Sequence, residues 1–207
     1  MPKVRSRWLA INFLLTMADE LRRDRMAQDK PVTLGYFTVT QDARVGWTGG
    51  LLVLNNTGRP LEFQCTLPVR PSRAHEILFG PTLRAHVIAE VIGKLLLQKC
   101  RTSISLLCCD QPESLTLDSY TQAPIALIKE AAESEEGPIT SDMLQGFGTV
   151  EIAQSDLYVP IEKLSVVQSM ADSFQDFPDA VEPLDRIREA IFEAHSQLAR
   201  QKPSQAA

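Results

Sequence analysis

The stretch VTLGYFTVTQDARVGWTGGLLVLNNTGRPLEFQCTL, residues 32–67, decides how this chain folds. Residues 32–40 are rich in Val, Thr, Tyr and Phe, side chains that suit a pleated, half-buried surface. Gln41-Asp42-Ala43-Arg44 can turn the chain, and residues 45–54 read as a second strand. Within it, Gly49-Gly50 marks a bulge or a close backbone approach. Asn55-Asn56-Thr57-Gly58 is a strong turn, because Asn and Gly accept positive φ cheaply. A third strand runs from Pro60 to about Leu67, where Pro68 and Pro71 end it. Strands joined this tightly predict an antiparallel meander.

Beyond the meander, Ser72 suits a helix N-cap. From Ala74 to Lys99 the apolar positions Ile77, Leu78, Val87, Ile88, Val91, Ile92, Leu95 and Leu96 predict a short helix and then a long one, interrupted at Gly80-Pro81. So much apolar surface implies that this segment lies across the sheet. Residues 103–109 predict a fourth strand, apolar on both faces and therefore central. Residues 110–122 read as a polar loop and residues 125–128 as a short strand. Residues 130–138, with Glu130, Glu133, Glu135 and Glu136, read as an acidic linker or helix end. Residues 139–201 read as a mostly helical region packing on the core, with helices at 141–147 and 161–174 and room for a strand at 149–153. Leu184, Ile187, Ile191, Ala194 and Leu198 form the stripe of a last amphipathic helix, and residues 202–207 a disordered tail.

Before the meander, Trp8, Ile11, Leu14, Leu15, Ala18 and Leu21 predict an amphipathic helix within residues 1–30. The basic start and the apolar residues 8–18 also imitate a signal peptide, but Asn12 interrupts the run and no clear cleavage site follows. The expectation is an α+β fold. It has a mixed, mainly antiparallel sheet of about five strands, formed by a meander, a long helix and further strands, with residues 31–129 as the core. Helices cover the sheet, amphipathic ones at both termini.

The 207 residues carry a formal net charge of −5, which argues against a nucleic-acid-coating surface and against nucleic acid as a partner. No apolar run approaches the roughly 20 residues that span a bilayer. Cys108 and Cys109 point to opposite faces of a strand and cannot act together as staples. With Cys65 and Cys100 they read as reduced thiols in a cytoplasmic protein.

Chemistry has four candidate acids: Asp42 at the end of the first strand, Glu76 and Glu90 on the helices, and Asp110 at the end of the fourth strand. A meander, a helix and a parallel strand in this order resemble the opening of an RNase H-like domain. The resemblance is one of topology, covers residues 32–128 and brings no sequence motif. It implies carboxylates on the first strand, the first helix and the end of the fourth strand, gathering two Mg²⁺ ions for phosphodiester cleavage. That family places its first Asp within the strand, whereas Asp42 reads as a turn residue. Asp42 and Asp110 must also lie within about 8 Å of each other to share metals about 4 Å apart.

Arg59, Arg70, Arg73 and His75 are the basic candidates, grouped around a loop that enters a helix and could hold a phosphate or carboxylate. No C-x-x-C pair or zinc spacing links His75, His86 and the cysteines, so no metal site is expected. No nucleophile motif appears, and Asp110 near Cys108 disfavours a thiolate there. The sequence therefore reads first as a non-catalytic interaction or ligand-binding module, with a protein partner or self-association through an amphipathic terminal helix. A metal-dependent nuclease is the alternative, and an anion site at Arg70 and Arg73 the second.

Overall fold

The computed structural model describes residues 32–136, 144–175, 177 and 179–201. The helix expected in residues 1–30, the tail 202–207 and residues 141–143 of the helix expected at 141–147 lie outside the described residues; the rest of that expected helix is a turn through Gly146 (φ 85°) and the start of a strand at Phe147. The meander forms as β1 (Thr33–Asp42), β2 (Gly46–Asn55) and β3 (Pro60–Cys65), each antiparallel to the next. Asn55 shapes the second turn by accepting the amides of Thr57 and Arg59, and Gly58 takes a φ of 78°. β4 (Leu106–Cys109) lies parallel beside β1, and β5 (Ile125–Ile128) parallel beside β4. A hairpin of β6 (Phe147–Ile152) and β7 (Ser155–Pro160) then adds antiparallel to β5 through β7.

The sheet order is β3-β2-β1-β4-β5-β7-β6, seven strands where about five were expected. It is mixed and mainly antiparallel, as read. The strand foreseen at residues 149–153 is β6, and its partner β7 was missed. The turn between them uses Ala153 (φ 51°) and Gln154 (φ 65°), so no glycine announces it.

Gly49 and Gly50 keep regular pairing with Val39 and Thr38, so they form no bulge; the irregularity lies between Val53 and Leu54. Their role is close approach. A Cβ on Gly49 would fall 2.1 Å from Cγ2 of Ile92, and one on Gly50 would fall 2.3 Å from Cγ2 of Ile187, on opposite faces.

One face is covered by α2, residues 83–99, whose helical dihedrals continue through a π-helical stretch at His86–Gly93. Its Val87, Ile88, Ile92 and Leu96 bury against Phe37, Val39, Leu51 and Cys109. The preceding α1 (Arg73–Phe79) is capped by Ser72 but buries no residue, so only residues 83–99 of the expected 74–99 segment lie on the sheet. Residues Pro112–Tyr120 form a 3₁₀ segment in place of the expected polar loop, and it buries Ser114 and Leu117. Leu117 packs where Gly93 lacks a side chain, since a Cβ there would come within 2.6 Å of it.

The other face is covered by α3 (Lys129–Glu136), α4 (Ile161–Ala171) and α5 (Glu182–Gln201). Ala131 and Ala132 of α3 are buried, inside the stretch read as an acidic linker. From α5, Leu184, Ile187 and Ile191 enter the core formed with Tyr36, Leu52, Leu54 and Cys108, each such burial stabilising by about 1.5–3 kcal/mol. No described helix is long and apolar enough to cross a membrane.

Candidate functional site

β1 outlasts β4. The parallel ladder pairs Phe37 with Cys109, after which β4 leaves the sheet while β1 continues to Asp42. The next backbone unit of β1, Val39, is met by a side chain: Gln111 Oε1 accepts from Val39 N at 3.2 Å, and Gln111 Nε2 donates to Val39 O at 2.7 Å.

Strand alternation sends Cys108 toward the α5 face, Cys109 toward α2, and Asp110 toward α5 again. There Asp110 is fully buried. Its Oδ2 accepts from Thr38 Oγ1 at 2.6 Å and from a guanidinium nitrogen of Arg188 at 2.6 Å. The same guanidinium donates to Asp185 at 2.7 Å and is a quarter exposed, so the cluster reaches solvent along α5. Seven residues or about two helical turns further on, His195 Nε2 lies 3.0 Å from the buried Thr48 hydroxyl. A polar layer thus sits under α5 at the carboxyl ends of β1 and β4.

Just beyond it is the β1–β2 turn. Asp42 is exposed, and its Oδ1 accepts the amides of Arg44 at 2.7 Å and Val45 at 2.8 Å. Those two backbone hydrogen bonds lower its pKa below the usual carboxylate value. Arg70 Nε donates to Val45 O at 2.9 Å, which sets two guanidinium side chains, Arg44 and Arg70, beside one turn. Neither enters an ion pair among the described residues. Arg84 lies 5.8 Å over the Trp47 ring and pairs with Glu113 at 2.6 Å.

The sequence candidates separate. Asp42 stands four residues beyond Thr38, about 13 Å along the strand at about 3.3 Å per residue, and engages its own turn. Glu76 pairs with Arg73 on α1, and Glu90 with His86 on α2, on the face opposite the Asp110 carboxylate. The structure does not gather these four acids. Arg59 follows the far end of β2, some nine residues or about 30 Å from Arg70. His75 is spent on the capping box with Ser72. Of the basic candidates, Arg70 lies at the carboxyl end of β1, where it bonds Val45 O.

Among the described residues no group of three His, Cys, Asp or Glu side chains could hold a metal ion. The cysteines are free; burial pushes Cys108 up to about 12 and Cys109 well above its ordinary value. They are inert there. Thr38, Gln111, Arg188 and His195 were not anticipated: nothing local in the sequence marks a side chain whose partner lies 70 residues or more away.

No family model and no curated protein matches the chain. Among solved structures it is similar to human endonuclease V at 13% identity and a TM-score of 0.46, covering 80% of this chain and 86% of that one. Endonuclease V of Ciona intestinalis, in complex with a 23mer DNA containing an inosine followed by a ribo-adenosine, aligns at 11% identity and 0.41, covering 80% and 87%. Marinitoga piezophila Argonaute, in complex with 5' OH guide RNA, aligns at 14% and 0.27, covering 64% and 23%. The proteins named are an endonuclease and ones in complex with DNA or RNA, which runs counter to the readings of a protein-interaction module and of nucleic acid as a partner to be argued against.

Proposed function

We propose that this chain is a nucleic-acid-binding domain built on an RNase H-like sheet, with its binding surface at the carboxyl ends of β1 and β4. The observation that carries this is the strand order. β1 connects outward to β2 on one side while β4 lies on its other side, so the two form a switch point with Asp110 at its mouth. Ligands of open sheets gather beyond the carboxyl ends of parallel strands at such a point.

Arg44 and Arg70 give this end its phosphate-contacting charge, and contacts of that kind position a nucleic acid without reading its sequence. The overall charge of −5 is no obstacle, because the attraction is local. Fluorescence anisotropy with labelled single-stranded and duplex RNA and DNA tests the proposal. Binding should weaken with salt, and the Arg44→Ala/Arg70→Ala pair should flatten the log–log slope by about two. No binding to any of the four, or an unchanged slope in the double variant, refutes it.

A second reading, phosphodiester cleavage, is favoured by one observation: Asp110 stands at the strand end where the resemblance implies a carboxylate. The donor set does not fit two Mg²⁺ ions. Thr38 occupies the place within β1 beside Asp110, and a guanidinium already holds the Asp110 oxygen. Metal-dependent turnover of any nucleic acid, lost in Asp110→Asn, would establish that reading.

A further inference from the structure

We infer that Arg188 is the resident counter-cation of Asp110, filling the position a divalent metal would take, so that this site operates without a metal ion. The inference deepens the nucleic-acid reading and rests on it only for the ligand. Three observations converge. The Asp110 carboxylate is fully buried, and a buried carboxylate keeps its charge only against a cation or several hydrogen bonds. Arg188 is a cation within its reach, at 2.6 Å on the same oxygen that takes the Thr38 hydroxyl. The strand position beside Asp110 carries Thr38, a donor, where a metal centre would use a second acid.

The guanidinium is also firmly held. Ile187 and Ile191 on either side of it are buried in the core, so α5 cannot lift without opening the sheet. Asp185 orients its second nitrogen from the solvent side at 2.7 Å. A hard divalent ion would have to displace a charge that the core itself fixes in place.

Thermal unfolding of the full chain, in chelator and in millimolar MnCl₂, tests this. The wild-type Tm should be the same in both. Arg188→Met should lower Tm by about 10 °C, because the buried carboxylate loses the guanidinium at its Oδ2. Adding Asp110→Asn to that variant should regain most of the loss. The inference is overturned if MnCl₂ raises the wild-type Tm and Asp110→Asn abolishes the rise. It is equally overturned if the double variant is as unstable as Arg188→Met alone. Should Arg188→Met fail to fold, the wild type and Asp110→Asn in MnCl₂ still decide. These readouts involve no nucleic acid, so their failure is distinct from a failed anisotropy experiment.

Discussion

The two faces of the sheet come from the same alternating strands, yet at the carboxyl ends of β1 and β4 they differ in chemistry. Toward α2 the strands present Phe37, Val39, Trp47, Leu51 and Cys109, and the packing is apolar as far as Trp47, where Arg84 lies over the ring and pairs with Glu113. Toward α5 they begin with Tyr36 and Cys108 and change to Thr38, Thr48 and Asp110, met by Arg188 and His195. A period of two thus lets one pair of strands carry a dry core on one side and a polar site on the other. It also explains why acids close in topological order stay apart: Glu90 belongs to the dry side, Asp110 to the polar one.

The largest effect should come from placing an acid where the polar face has Thr38. Thr38→Asp sets a second carboxylate against Asp110 and the Arg188 guanidinium that holds it, and should cost about 3–5 kcal/mol in urea unfolding. A variant as stable as the wild type would mean that the site holds more cation than Arg188 supplies.

The glycine pair compares the faces directly. Gly49→Ala meets Ile92 at 2.1 Å on the α2 side, and Gly50→Ala meets Ile187 at 2.3 Å on the α5 side. Both overpack, by about 1–3 kcal/mol, with Gly49→Ala the costlier. Equal, negligible costs would show that neither helix is held close.

The smallest effect concerns a carboxylate outside both faces. Glu62 on edge strand β3 accepts the amides of Arg101 at 3.1 Å and Thr102 at 2.7 Å. Burial raises its pKa, but these bonds and the one from Gln64 outweigh it and hold the group at about 2, below 4.5. Because the folded pKa is depressed, the contribution is complete above about pH 4.5 and is lost as pH falls toward 2. For a half-buried group screened by solvent it amounts to about 1 kcal/mol. Glu62→Gln should flatten the acid limb of a stability–pH profile; an unchanged limb would assign it elsewhere.

The meander was legible because its turns are written in Asn, Gly and Pro, and the last helix because its stripe repeats without interruption. The β6–β7 hairpin was not, since Ala153 and Gln154 adopt positive φ without advertising it. Residues 112–120 mix polar and apolar side chains with no period, so only Gly93 opposite Leu117 reveals the packing. Of the site, Asp110 and Arg70 were legible as residues but not as neighbours of Thr38 and Arg44. Arg188 read as one of several charges off the apolar stripe, which is true of the helix and silent about its partner.

Gln111 has a consequence for how β4 can end where it does. A carboxamide carries a donor and an acceptor in one plane, as a peptide unit does, so the sheet gains a rung without a longer β4. The chain is free to depart at Asp110 while the overhanging backbone of β1 stays dry and satisfied. Neither an acid nor a hydrocarbon at this position could do both, which makes the mouth of the site depend on a single neutral amide.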